Sequence, residues 1–327
     1  MFKAAIVGCG DVSIVYAEAI AALGAEIVAV ADLDHAAALK LAQKTQATAY
    51  FSLQELLAQE TIDVLHITTP HDQHIDLALM ALKAGVHVLV ENPLANELDQ
   101  AQRLLDYLKE NPQAPKIGVC FQNRYNVSSV ELRRPLEEGE LGEIRGAYAS
   151  VVWTRTSDYY SAKPWRGQQI RSGGGLLMNQ AIHTLDLLQW FLGPVTKVRG
   201  EVSTDKYGEI IDVEHSAHAF FTHESGISSS FYGTLANSRH RSVEIELDWE
   251  NALVKLKDGL TVTWINRAES QVEHYPERTQ NSAGRTYWGV SHELLIRDFY
   301  GHLDSAKPFW IGPQEALASL RMAKALY

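Results

Sequence analysis

A β-branched apolar run that stops at Gly8-Cys9-Gly10, a helical pattern, and a second apolar run that stops at Asp32 leave a chain few ways to fold. Residues 4–8, 27–31, 64–68 and 86–90 are mainly apolar stretches of strand length, broken only by His66, Thr68 and His87. Such runs mark strands covered on both faces. Between them apolar residues recur at helical spacing, as in Leu53/Leu56/Leu57 and Ile75/Leu79/Leu82, and Gly85 stands where a helix would stop. Strand and helix in repeated alternation mean βαβ units and a doubly wound parallel sheet. A further run at 116–121 closes this first domain, which is set at residues 1–122.

The rhythm changes after Arg124. A helical pattern at 127–138 is followed by Gly139 and Gly142, then by a long strand pattern at 144–154. Gly173-Gly174-Gly175 leads into a helix that ends near Gly193-Pro194. Strand-like segments follow at 195–204, 213–222, 227–235, 243–249, 252–256 and 261–265, joined by short turns such as Glu224-Ser225-Gly226 and Lys257-Asp258-Gly259. Residues 123–327 are therefore expected to form an α/β domain with a large, mostly antiparallel open sheet. Helices are expected near 291–303 and 313–326. The helical pattern still runs at Tyr327.

Charge and cysteine content narrow the function classes. Lys and Arg number 29 against 40 Asp and Glu, a net charge of −11, and no basic run occurs. A nucleic-acid partner is not expected, because phosphate backbones need a concentrated positive footprint. No apolar stretch approaches the roughly 18 residues of a membrane span. The N-terminus runs straight into a strand without a signal-peptide layout. Two cysteines, Cys9 and Cys120, fit a reduced, cytoplasmic setting. The 13 histidines lack metal-binding spacing: His215 and His218 would face opposite sides of a strand, and no His-Glu-x-x-His or Cys-x-x-Cys occurs. No metal is expected.

Gly8-Cys9-Gly10-Asp11-Val12-Ser13 sits between the first strand and the first helix, with Ser13 where a third glycine is usual. Gly8 would allow the tight turn, and Gly10 would let the backbone approach a pyrophosphate at the positive helix end. Asp32, 22 residues beyond Gly10, can accept both ribose hydroxyls of NAD and would repel the 2′-phosphate of NADP. NAD is favoured over NADP. A plain helix N-cap is the other use of an aspartate there. Thr69, Pro70 and His74 follow the strand at 64–68, and Glu91, Asn92 and Pro93 follow the next, where ligands of open α/β sheets bind. In the second domain Asn179 and His183 are four apart in a helical pattern, so both would share one face. His183 suits an acid/base role or a core histidine, and Asp186 could orient it. Arg124 and Arg166 suit either a substrate anion or a structural salt bridge. Trp165 and Tyr287 are the aromatics best placed to stack on a sugar ring.

Taken in order, these segments resemble the glucose–fructose oxidoreductase / inositol dehydrogenase (Gfo/Idh/MocA) family over nearly the whole chain. The resemblance rests on the glycine turn, Thr69-Pro70 with His74, Glu91-Asn92-Pro93 and Phe121-Gln122-Asn123-Arg124-Tyr125. It continues through Trp165-Arg166, the stretch 173–186, and Tyr287-Trp288-Gly289 with His292. It implies hydride transfer between nicotinamide and a hydroxyl carbon of a sugar, inositol or nucleotide sugar, with homodimers or homotetramers assembled through the second-domain sheet. It implies a cofactor site of Gly8, Cys9, Gly10, Asp11, Val12, Asp32, Thr69, Pro70, His74, Glu91 and Asn92. His183 would be the acid/base, with Asn92 and Asn179 beside it, and Arg124, Trp165, Arg166 and Tyr287 on substrate. The chain departs from the family twice. The usual Glu-Lys-Pro is Glu91-Asn92-Pro93, and the usual Asp-x-x-x-His starts at Asn179, a form shared with relatives resembling UDP-N-acetylglucosaminuronate 3-dehydrogenases. Loss of the lysine admits two other functions: an NAD-binding regulatory or turnover-deficient protein, and an NAD-assisted glycosidase.

Overall fold

The computed structural model describes residues 1–265, 271–278 and 291–327. The chain forms two compact units, one of Met1–Gln122 with the described part of Thr279–Leu317, the other of Asn123–Arg278 with Ala318–Tyr327.

The first unit is built on six strands: β1 Lys3–Val7, β2 Glu26–Ala31, β3 Thr48–Tyr50, β4 Val64–Ile67, β5 His87–Glu91 and β6 Ile117–Cys120. Their order is β3-β2-β1-β4-β5-β6 and every pairing is parallel. All four residues of β4 and of β6 are buried, which is why those runs carry no polar alternation. The order reverses between β1 and β4, so the crevice beyond their carboxyl ends is the natural ligand site of such a sheet. β3 went unread in the sequence because Thr48-Ala49-Tyr50 is too short for a period to show.

The sequence assigned everything after residue 122 to the second domain, but the chain returns to the first unit. Helix Ser291–Gly301 buries Leu295, Ile296, Phe299 and Tyr300. A Cβ at Gly118 in β6 would lie 2.8 Å from the Phe309 ring and 2.9 Å from the Phe299 ring. Gly118 thus gives these two rings the room to lie on the sheet. Tyr300 OH meets His66 Nε2 at 2.9 Å, and Val119 N–H donates to Ile311 O at 2.8 Å. This cover is contributed from far along the chain, and local patterning carries no trace of it.

The second unit carries eight strands: β7 Ile144–Val152, β8 Val195–Ser203, β9 Ser216–His223, β10 Ser228–Thr234, β11 Glu244–Trp249, β12 Ala252–Leu256, β13 Gly259–Trp264 and β14 Val272–Pro276. They run in the order β14-β13-β12-β11-β7-β10-β9-β8. All pairs are antiparallel except the central pair β7 and β10. In β9 and β11 buried residues alternate with more exposed ones, the pattern of a sheet covered on one face. The barer side carries Tyr148, Phe220 and Tyr232, each more than 40% exposed. β14 was missed because Val272-Glu273-His274-Tyr275-Pro276 is a polar edge strand with little apolar signal. Among the described residues no helix is long and apolar enough to cross a membrane.

Candidate active site

In the first unit, Gly8 has φ +91°, and a Cβ there would lie 2.6 Å from the Thr68 carbonyl carbon. Only glycine lets the turn after β1 press against the end of β4. Gly10 has open space where a Cβ would stand. The helix that follows, Ser13–Ala22, starts at Val12 without a side-chain cap and has no acidic residue in its first turn. Its free N–H groups and positive dipole end suit a pyrophosphate. Asp32 is fixed at the end of β2: Oδ2 accepts from Cys9 N–H at 2.6 Å and Oδ1 from Asp34 N–H at 2.8 Å. The helix cap is Asp34, which accepts from Ala36 and Ala37 N–H, so Asp32 is not spent on capping. These groups fit the dinucleotide the spacing suggested. Asp11 is exposed. Burial, with Asp32 and Asp34 nearby, pushes the Cys9 thiol up to about 12, so it stays protonated and unreactive.

Two loops continue this end of the sheet. His74 is fully buried, with Nδ1 2.9 Å from Pro93 O and Nε2 3.0 Å from Thr69 O. It therefore joins the Thr69-Pro70 turn to the Asn92-Pro93 turn. Burial lowers its pKa against the pull of the two carbonyls. Glu91 Oε1 accepts from Tyr16 OH at 2.8 Å, and Oε2 accepts from Asn92 N–H and Nδ2 at 3.1 and 2.9 Å. Burial pushes this carboxyl up to about 7 despite those donors. Asn92 Nδ2 also donates to Cys120 O at 2.9 Å. Both amide hydrogens of Asn92 are thus committed to the protein, and its side chain keeps only an acceptor to offer. Glu91, Cys120 and His292 bring their ligand-type atoms within 4.8 Å of one another. Burial holds the Cys120 thiol and the Glu91 carboxyl toward their neutral forms, which opposes metal capture. Tyr16 and Cys120, the partners that fix Glu91 and Asn92, were not foreseen; they touch these residues only through the tertiary fold.

In the second unit the glycine turn is braced from below. Glu214, 2% exposed, accepts from Gly175 N–H and Leu177 N–H, both at 2.7 Å. A Cβ on Gly175 would overlap Glu214 O at 1.8 Å, so the turn tolerates no side chain there. Sequence reasoning missed Glu214; a carboxylate 39 positions away carries no signal of this contact.

Asn179 and His183 do not share one continuous helix. Helix Leu176–Asn179 ends where Ala181 N–H reaches back to Leu176 O at 2.8 Å, a turn one residue wider than α-helical, and a new helix runs Ile182–Leu192. Asn179 turns its amide onto Gly174 O and Gly175 O, both at 3.1 Å. A short polar side chain that bonds its own backbone in this way competes with helix continuation. His183 lies in the first turn of the new helix, and burial holds its pKa down to about 4. Burial thus favours the neutral imidazole at pH 7.

Arg124 makes the structural ion pair that was the other expected use of this residue. Its side chain is fully buried and grips Asp186 in a two-pronged pair, Nε–Oδ2 2.8 Å and Nη2–Oδ1 2.7 Å, with Trp190 5.1 Å from the guanidinium. Burying an arginine demands such a partner, so Asp186 is held by Arg124. Trp165 and Arg166 are half-buried in the turn Pro164–Gly167, and Arg166 covers the Tyr159 ring at 4.5 Å. Tyr287 lies outside the described residues.

A glycine turn opening a helix, an acidic residue closing β2, and a six-stranded parallel sheet define a dinucleotide-binding oxidoreductase scaffold. Residues 2–118 match the oxidoreductase family with the NAD-binding Rossmann fold, and residues 129–255 match the GFO/IDH/MocA C-terminal domain. The chain belongs to the Gfo/Idh/MocA family. It is 28% identical to a putative UDP-kanosamine synthase oxidoreductase subunit of Amycolatopsis mediterranei, over 67% of this chain and 64% of that protein. It is 30% identical to a myo-inositol dehydrogenase of Streptomyces leeuwenhoekii, over 58% of this chain and 55% of that protein. The chain therefore spans less than two thirds of the length of these relatives. A WlbA dehydrogenase from Bordetella pertussis, solved with NADH and UDP-GlcNAcA, superposes with a TM-score of 0.85 at 28% identity, covering all of this chain and 95% of that one.

Proposed function

We propose that this protein is an NAD-dependent dehydrogenase that oxidises or reduces a hydroxyl carbon of a sugar, inositol or nucleotide sugar. The observation that carries the reading is Asp32, pinned by Cys9 and Asp34 N–H groups at the end of β2 beside the open Gly10. Asp32 would take the adenosine ribose hydroxyls, and the turn from Gly8 through Val12 the pyrophosphate. Thr69, Pro70, Glu91 and Asn92 would line the nicotinamide end, tied by His74. The nicotinamide supplies the hydride acceptor when bound. His183 takes the hydroxyl proton during oxidation and returns it during reduction. Asn179 secures the turn before it, and Trp165 and Arg166 face the substrate. The two cysteines are free thiols, which supports a cytoplasmic setting.

One observation favours a second reading, a nicotinamide-binding protein without turnover. Asn92 has both amide hydrogens engaged, so it cannot replace the charge that a lysine would bring to a forming alkoxide. Loss of one such donor costs about 3 kcal/mol, roughly a hundredfold in rate. NADH formation across sugars, inositols, sugar acids and nucleotide sugars, with wild type and Asn92→Lys side by side, decides the matter. Turnover by the wild type is the expected result. Turnover only after Asn92→Lys, with NADH bound by both proteins, would replace the dehydrogenase reading with the second.

We also propose that copies associate as homodimers or homotetramers through the barer face of the eight-stranded sheet. Tyr148, Phe220 and Tyr232 give that face an apolar patch of the kind that marks interfaces. Light scattering should show an oligomer that Phe220→Glu dissociates; a monomeric wild type would overturn the assignment.

A further inference from the structure

Buried polar atoms without hydrogen-bond partners are uncommon in folded proteins, since each costs about 1–3 kcal/mol. In the second unit several fall in one neighbourhood: Trp153 Nε1, Thr154 Oγ1, Arg155 Nε, Tyr160 OH and Gln180 Oε1. Contacts join them into a single cluster. The Arg155 guanidinium lies 5.2 Å from the Trp153 ring and 5.0 Å from the Tyr159 ring. Tyr159 packs edge-on against Tyr160 at 5.0 Å and accepts a hydrogen bond from Gln180 Nε2 at 2.9 Å. Arg166 covers Tyr159 at 4.5 Å, and His240 stacks on Trp153 at 4.7 Å.

Arg155 is the exceptional member. Its side chain donates from Nη1 to Thr154 O at 3.0 Å, and among the described residues no carboxylate pairs with it. In a chain with 40 acidic side chains against 29 basic ones, the described residues leave this guanidinium without a counter-charge, among aromatic rings that lower the local dielectric. Charge in such surroundings is costly unless an anion meets it. The structural alternative, an arginine held for packing alone, accounts for the ring contacts. It leaves the orphaned atoms on Trp153, Thr154, Tyr160 and Gln180 unexplained.

We propose that Trp153, Arg155, Tyr159 and Gln180 form the part of the substrate site that receives an oxyanion, so that the sugar-like substrate carries a carboxylate or phosphate group. The assignment rests on the dehydrogenase reading for the sugar and on this cluster for the anion. The planar guanidinium matches two oxygens of either anion. Trp153 and Tyr159, both half-buried, flank the guanidinium with aromatic surface. The partnerless donors and the Gln180 acceptor beside it are the groups that sugar hydroxyls would satisfy. Gln180 directly follows Asn179 and precedes His183 by three residues, so the anion contact and the acid/base stand on one stretch of chain.

The test uses the full chain and two readouts, NADH formation and thermal stabilisation by each sugar. Glucuronate and glucose 6-phosphate separate the carboxylate from the phosphate, with glucose and myo-inositol as neutral references. The expected result is at least tenfold tighter binding of one of the anionic sugars than of glucose. Arg155→Gln should reduce that ratio at least tenfold, and Arg155→Lys should restore part of it. Equal binding of neutral and anionic sugars, no binding of either, or an Arg155→Gln variant that weakens both equally would each overturn the proposal. Arg155-dependent binding of an anionic sugar with no NADH formed would instead remove the dehydrogenase reading and leave the anion site standing. NADH formed from neutral sugars alone would do the reverse.

Discussion

Replacing His183 by alanine is expected to lower turnover by about 10²- to 10⁴-fold, the usual contribution of a positioned acid/base. NADH binding should change little, because the groups assigned to the dinucleotide belong to the first unit. The pH profile makes the prediction specific. An ordinary imidazole gains its proton near pH 6.5, but burial holds His183 down to about 4. A base must be unprotonated to accept the substrate proton, so its activity is lost only as pH falls through the lowered value. Oxidation by the wild type should therefore show no His183-dependent loss between pH 7 and pH 5. An acid limb near 6.5 that disappears in His183→Ala would contradict the burial argument. Undiminished turnover in His183→Ala would remove the residue from the chemistry.

Asp186→Ala is expected to destabilise the protein by about 3–5 kcal/mol, the typical result of removing one partner of a buried ion pair. The side chains of Arg124 and Asp186 are 0% and 1% exposed, so solvent cannot compensate the guanidinium left behind. The double variant Arg124→Met/Asp186→Ala should recover part of the loss, since it removes the stranded charge as well. Denaturant unfolding measures both. A single-variant cost below about 1 kcal/mol would mean that the pair is screened more than its burial implies.

The parallel sheet was legible because strands buried on both faces are mostly apolar, and β1, β4 and β6 follow that rule apart from the exposed Lys3 and the buried His66. The glycine turn and Asp32 were legible because both lie within one βαβ unit, where sequence spacing is spatial spacing. Legibility failed where a role depends on distant chain. Arg124 has the residue type of an anion ligand, and only Asp186, 62 positions away, reveals that it is occupied. Asn179 and His183 have the spacing of one helical face, yet the wide turn at Ala181 separates them into two helices. Glu214 supports the glycine turn through backbone N–H groups, which have no sequence identity to detect. The orphaned atoms around Arg155 were invisible for a related reason: an unsatisfied bond is a property of packing.

The return of residues 291–311 to the first unit bears on the order in which the protein can be completed. β6 is made early, but Phe299 and Phe309, which lie against Gly118, and Ile311, which takes the Val119 hydrogen bond, arrive only after the second unit's strands have been synthesised. During translation the early Rossmann sheet therefore waits with an apolar face uncovered while about 170 further residues emerge. A fragment cut at the apparent boundary after Gln122 would be arrested at that stage. The stretch of chain that looks most like an independent nucleotide-binding domain is not self-sufficient, and its last structural layer is delivered late.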